Sequence, residues 1–209
     1  MRLLLLTLAT AATVCACDAG HPRRQAAIAG VGAITAEDRA VLDRRLDADG
    51  TFAFLQPATT YAAHDGRLEI GVGAADVPDD DLRFLLSRQG RVAVTSEWGR
   101  VRLDGTGIAD VQAAMGDNGQ PVLRFQLTPA GQQRLSRFAT RDAIGSPMLV
   151  KLDDETLVSA RLAEPIAGAR FQVTLLRPVA EVSLIAQVMR SGALSFQPGA
   201  VSVGSRAAS

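Results

Sequence analysis

Apolar and polar positions alternate most clearly at residues 121–127, PVLRFQL. Leu123, Phe125 and Leu127 share one face there, and Arg124 and Gln126 the other. A period of two predicts a half-buried strand. Thr128 follows as a good N-cap and Pro129 as a good first helical residue. Leu135, Phe138 and Ala139 then recur at helical spacing, leaving Gln132, Gln133, Arg134 and Arg137 for water. Pro147 breaks the chain before a strand at 148–152, the Asp153-Asp154-Glu155 triplet turns it, and 157–162 runs back. The stretch therefore reads strand, helix, strand, turn, strand.

The preceding segment reads α, β, β, α, β. Thr35 with Asp38 forms an approximate capping box for a helix to about Leu46, whose inner face is Val41, Leu42 and Leu46. Asp49-Gly50 ends it. Residues 51–55 predict a strand, 56–65 a loop, and 67–72 a strand in which Leu68, Ile70 and Val72 alternate. Pro78 and three aspartates open a helix with Leu82, Leu85 and Leu86 inward, since acidic groups favour the positive end of the helix dipole. Gly90 terminates it. A strand is expected at 91–96, with extended chain at 98–103. A turn at 104–107 is a candidate boundary, 108–115 is a short amphipathic piece, and 116–119 is another turn. Beyond the first stretch come a strand at 171–175 and a largely buried helix from Pro178 to about Arg190. Gly192 closes that helix, a last strand covers 193–196, and 199–209 reads as a frayed tail. The fold class expected is α+β. Its base layer is ferredoxin-like, an antiparallel sheet with helices on one face, built from residues 35–103 and 178–198.

The N-terminus changes the picture. Arg2 precedes an apolar run at 3–14, of signal-peptide length and too short to span a bilayer. It ends Val14-Cys15-Ala16-Cys17, which resembles the bacterial lipobox, with small Ala16 just before Cys17. Lipidation of Cys17 is the expectation, and an ordinary cleaved signal is the alternative. Asp18 would be the second mature residue, which in bacterial lipoproteins is associated with retention at the inner membrane. Residues 18–34, small and basic, read as a tether. No cysteine follows position 17, so a mature domain would be stabilised by packing and not by disulfides.

Charge and chemistry narrow the function. Lys plus Arg and Asp plus Glu number 22 each, and aromatic residues are 4%, so neither charge nor stacking surface argues for nucleic acid. The histidines, His21 and His64, fall in tether and loop. There is no Gly-x-Ser-x-Gly elbow, dinucleotide fingerprint or phosphate loop. The carboxylates at 153–155 read as a solvated turn before they read as a cation site. The expectation is a non-catalytic protein with no cofactor and no metal.

Four pieces carry a family resemblance. They are LTPAG at 127–131, LVSA at 157–160, EPIAGAR at 164–170 and RSGAL at 190–194. In this order and spacing they resemble the large periplasmic domain of SecD, and in particular its head subdomain. The resemblance covers roughly residues 103–198. Ala169 stands where the family usually has a second glycine, Arg161 replaces a proline, and no membrane-spanning helix follows the N-terminus. The resemblance implies an inserted α+β head at 104–177 on the base layer. It also implies a place in protein export at the periplasmic face of the inner membrane, with secretory precursor chains or Sec translocon subunits as partners. A soluble periplasmic form is the alternative location. The binding residues it suggests are the bend Glu164, Pro165, Ile166, Ala167, Gly168, Ala169 and Arg170. A structural or interaction lipoprotein that reuses the fold for another envelope partner is the alternative function.

Overall fold

The structure is a computed structural model, which describes residues 24–46, 60–72, 77–97, 99–139 and 144–205. The signal segment with Cys17, the turn at Asp49-Gly50 and the strand expected at 51–55 lie outside them.

The first layer is a four-stranded sheet. In chain order its elements are β1 (Arg24–Ala29), α1 (Ala36–Leu46), β2 (Thr60–His64), β3 (Arg67–Val72), α2 (Asp79–Ser87) and, far along the chain, β11 (Val201–Ser205). The strand order is β11-β1-β3-β2, antiparallel at each pairing. This is the split β-α-β arrangement of ferredoxin-like domains, with its fourth strand delivered only after a long insertion. Ala26, Ile28, Leu68 and Ile70 cover one face and pack with Val41 and Leu42 of α1 and Leu82 and Leu86 of α2. Thr35 and Asp38 make the capping box, with the Asp38 N–H donating to Thr35 Oγ1 at 3.0 Å and the Thr35 N–H donating to Asp38 at 2.9 Å.

The insertion builds two further antiparallel sheets. One has the order β5-β4-β8-β9, from β4 (Val92–Ser96), β5 (Val101–Asp104), β8 (Pro147–Leu152) and β9 (Glu155–Arg161). The other has the order β10-β7-β6, from β6 (Ile108–Met115), β7 (Pro121–Leu127) and β10 (Arg170–Thr174). Their inner faces share one core, with Val94, Val150 and Leu152 from the first sheet and Val111, Leu123 and Phe125 from the second. Helix α4 (Val179–Ser191) buries Val182, Ile185 and Val188 in that core. Helix α3 (Pro129–Phe138) starts as expected, with Thr128 Oγ1 accepting from the Gly131 N–H at 3.1 Å. Its first turn lies against the short 3-10 turn at Gly105–Gly107. A Cβ on Gly131 would stand 2.7 Å from the Gly107 carbonyl carbon and 2.8 Å from its Cα, which is why this helix start takes glycine.

The fold class stands, but several expected parts do not. The tether at 18–34 contains β1, whose Ala26 and Ile28 are fully buried because the strand is central, between β11 and β3. The loop at 56–65 contains β2, which pairs with β3 through a turn at Asp65 and Gly66, both with positive φ (49° and 71°). The amphipathic piece at 108–115 is strand β6. Residues 193–196 form no strand. The Leu194 N–H donates to Gln89 O and the Ser195 N–H to Asp38, which removes both from any ladder. The tail at 199–209 includes β11, paired with β1. The strand expected at 91–96 is not part of the base sheet, because β4 pairs with β8. The boundary at 103/104 therefore cuts through one sheet.

Candidate functional site

Both sheets of the insertion end in an open edge, and the two edges face one groove. The register shows which main-chain groups point outward. The Leu175 N–H donates to Pro121 O at 3.0 Å, and Ala169 O accepts from the Leu127 N–H at 2.7 Å. With Phe171 opposite Phe125 and Val173 opposite Leu123, the odd-numbered residues of this strand spend their hydrogen bonds on β7. Arg170, Gln172 and Thr174 then turn their N–H and C=O groups the other way. On β9 the Leu162 N–H donates to Ser146 O at 3.0 Å, so Leu162, Ala160 and Val158 turn toward β8, and Ser159 and Arg161 turn away. Among the described residues no strand pairs with either outer side.

The groove has a volume of about 1300 Å³. Met148, Val158, Ala160 and Leu162 line it from one sheet, and Phe171 and Val173 from β10. The Phe171 ring stacks on Phe125 with centroids 4.6 Å apart and an interplanar angle of 2°. Beyond the β10 edge the lip is polar, with Arg124, Gln126, Arg170 and Gln172 on the opposite face of that sheet. Arg170 Nε donates to Gln126 Oε1 at 2.6 Å.

The bend at 164–170 closes one end of the groove. Glu164, Pro165, Ile166, Ala167, Gly168 and Arg170 line it, whereas Ala169 turns its carbonyl to β7. The bend is fastened to α3. Its Ile166 N–H donates to Ala139 O at 3.2 Å, and Gln132 Nε2 donates to Ala167 O at 3.0 Å. Gly168 does not have a positive φ, and a Cβ there would approach nothing closer than 3.8 Å. Neither conformation nor packing demands glycine at 168, and its smallness leaves the groove open.

A second cluster stands where the insertion meets the first layer. Arg45, at the end of α1, is fully buried. Its Nε donates to Ser191 Oγ at 3.0 Å, and its two terminal nitrogens reach the carbonyls of Leu85 (3.2 Å), Arg88 (2.5 Å), Gln89 (3.1 Å) and Gly192 (2.8 Å). These are acceptors at the C-terminal ends of α2 and α4, where helix carbonyls lack partners and the dipole is negative. Burial pushes the Arg45 pKa down to about 10, opposed by the Asp153 carboxylate, so the guanidinium stays charged at neutral pH. Asp153 accepts the N–H groups of Gln89, Gly90 and Arg91 at 3.1, 2.8 and 2.8 Å. Gly90 has φ of 95°, and a Cβ there would lie 2.5 Å from Arg45 Nη2. Glu155 pairs with Arg177 at 2.6 Å and Arg88 at 2.9 Å, and the Arg177 hydrogen bond holds its carboxyl below the usual range against the effect of burial. The acidic turn at 153–155 thus spends Asp153 and Glu155 on protein partners. No group of three or more His, Cys, Asp or Glu side chains positioned for a metal occurs among the described residues. His64 lies 3.6 Å from Glu69 on β2 and β3.

Sequence reasoning pointed to the bend, which lines the groove, and did not point to Arg45 or the two edges. Arg45 reads as one of two basic residues ending a helix. An edge exists only once strand order is known.

The arrangement defines a class of domain: a split β-α-β layer carrying an inserted two-sheet unit with a groove along its open edges. Residues 82–196, more than half of the chain, match the family model "SecDF, P1 head subdomain", and the chain belongs to that family. It is 30% identical over 96 residues to protein translocase subunit SecD of Acidaminococcus fermentans, covering 46% of this chain and 23% of that protein. It is 32% identical over 92 residues to protein translocase subunit SecDF of Thermus thermophilus, covering 44% of this chain and 12% of that one. The matches thus span a quarter or less of these relatives' lengths. Two solved structures share the fold. A SecDF in a super-membrane-facing form aligns with TM-score 0.70 at 18% identity, over 88% of this chain and 30% of that one. A structure of SecDF, described as a membrane component that enhances protein export, aligns with TM-score 0.66 at 20% identity, over 85% of this chain and 97% of that one. Among the described residues no helix is long and apolar enough to cross a membrane.

Proposed function

We propose that this chain is a non-catalytic, lipid-anchored protein at the periplasmic face of the inner membrane. Its groove holds an extended stretch of translocating or unfolded polypeptide, or a translocon partner, during protein export. The observation that carries the reading is the pair of unpaired ladder edges along the groove. Main-chain pairing at an open edge grips a chain with little regard to sequence, which suits a protein that handles many clients. Family membership and the relatives' names support the export setting. The two-sheet insertion and the layer beneath it would act as one gripping unit, and Cys17 would tie it to the bilayer.

The test is site-specific crosslinking in cells from the bend at 164–170, with and without Gly168→Leu. A Leu at 168 fills the groove at a position with open space around its Cβ, so it leaves folding intact while crosslinks fall. Secretory precursors or translocon subunits among the products are the expected result. Their joint absence overturns the proposal, and recovery of one folded envelope partner instead would favour an interaction lipoprotein. Labelling with a radioactive fatty acid, lost in Cys17→Ala, reads out the anchor.

A further inference from the structure

The geometry points to a client pattern. The groove selects segments that alternate apolar and acidic or neutral polar side chains, strands with two unlike faces, over unfolded chain in general. This rests on the reading that the groove takes polypeptide, and it names which polypeptide.

The argument starts at β10. A strand added to its outer side bonds to the main chain of Arg170, Gln172 and Thr174, and so continues the three-stranded sheet by one strand. Side chains of the added strand point alternately to the two faces of that sheet. Those on the inner side fall into the cleft between the two sheets, against Phe171, Val173, Met148, Val158 and Ala160. That wall is apolar, and a polar side chain placed there would lose water without gaining a partner. Those on the outer side continue the face formed by Arg170, Gln172, Arg124 and Gln126. An apolar residue there stays in water and gains little.

Charge adds a direction. Arg124, Arg161 and Arg170 line the groove, against Asp110 and Glu164. Asp110 and the three arginines are hydrogen-bonded to neutral groups that leave their charges in place. Asp110 accepts the Val111 N–H at 2.9 Å and Gln112 Nε2 at 2.7 Å, and Arg161, Arg170 and Arg124 donate to Gly145 O at 2.8 Å, Gln126 Oε1 at 2.6 Å and Met115 O at 3.4 Å. On the outer face of the β10 sheet Arg124 and Arg170 stand with Asp110, an excess of one positive charge, so the outer positions of a bound strand favour acidic over basic side chains. Helical amphipathicity does not satisfy this site. In an extended chain a 3.6-residue period places apolar groups on both faces.

The experiment measures fluorescence anisotropy of labelled synthetic peptides on the purified protein. One peptide alternates apolar and acidic residues, one has the same composition at helical spacing, and one alternates apolar residues with lysine. The alternating acidic peptide is also made with every second amide N-methylated, in each of the two phases. The alternating acidic peptide is expected to bind tightest, and only one N-methyl phase to abolish binding, each blocked bond weakening it about fivefold. Gln172→Pro removes an edge N–H that β7 does not use, and is expected to weaken the same peptide by about the same factor. The N-methyl comparison needs no variant, so it stands whatever that proline does to folding. Equal binding of the alternating and helically spaced peptides, or of the two N-methyl phases, overturns the inference while leaving polypeptide binding in place. No binding by any peptide overturns both.

Discussion

Asp38 offers a perturbation whose size follows from its surroundings. Its carboxylate is 2% exposed and accepts four hydrogen bonds. Two come from Thr35, through N–H at 2.9 Å and Oγ1 at 2.7 Å, and two from Ser195, through N–H at 2.7 Å and Oγ at 2.8 Å. Burial alone would raise its pKa, but these donors outweigh it, the Ser195 N–H foremost, and hold it at about 2 against an ordinary 3.8. At 1.36 kcal/mol per pKa unit, ionised Asp38 stabilises the fold by about 2 kcal/mol. The folded value is the depressed one, so this contribution is complete above the unfolded pKa. It is lost as pH falls from about 4 toward about 2, where the unfolded chain takes up the proton first. Asp38→Asn keeps the shape and removes the charge. Urea unfolding should show the variant less stable by about 2 kcal/mol at pH 7, with the gap narrowing between pH 4 and pH 2. Comparing variant with parent at each pH cancels the other depressed carboxylates, Asp104 and Glu155. A variant as stable as the parent at neutral pH would refute the reasoning, and so would a gap that persists undiminished in acid.

Two further substitutions probe the joint and the helix start. Arg45→Met removes the buried donor from the carbonyls of Leu85, Arg88 and Gly192, and should cost about 3–5 kcal/mol in urea unfolding. Arg45→Lys should fall between, since an ammonium cannot reproduce the fork, and a Met variant of unchanged midpoint would show that water serves these carbonyls. Gly131→Ala drives a methyl into the Gly107 carbonyl and should destabilise by about 1–3 kcal/mol or more. A thermal midpoint equal to the parent's would mean that the contact with the 3-10 turn relaxes freely.

What the sequence showed and what it hid divide along physical lines. Elements with a clean period and a cap were legible: α1 with Thr35 and Asp38, β7 with Leu123, Phe125 and Leu127, α3 with Thr128 and Pro129, and α4 with its broad apolar face. Strand β1 was not. RQAAIA carries two small alanines at its centre and no turn signal of its own, and alanine has little intrinsic strand preference. Its partners, β3 and β11, lie about forty and more than a hundred and seventy residues away, so only the folded sheet reveals it. Strand β2 did leave a trace. Asp65-Gly66 is a favoured two-residue hairpin turn, and the Pro and Thr content upstream obscured it. Residues 193–196 alternate like a strand, but their N–H groups answer to Gln89 and Asp38. At the site, the bend at 164–170 was visible because its small residues sit between two strands. The groove was not, because the edge status of β9 and β10 depends on which strands the chain places on their other sides.

The family pieces gain a physical meaning from these contacts. LTPAG is a helix start whose Thr caps, whose Pro opens the first turn, and whose Gly lets the helix touch the 3-10 turn. RSGAL ends α4 by supplying Arg45 with Ser191 Oγ and Gly192 O, and by returning the Leu194 N–H to Gln89 O. The chain enters the insertion near Gln89 and leaves it near Gly192, and the one guanidinium binds both. Asp153, on the turn between β8 and β9, holds the entry strand from the side of the insertion. Strand β10 pairs with β7, and β7 shares its core with α4, whose C-terminal end meets this crossing. The crossing is held by the hydrogen bonds from Arg45 to the carbonyls of Leu85, Arg88, Gln89 and Gly192. The buried arginine therefore ties the end of α1 to the ends of α2 and α4 where the insertion meets the first layer.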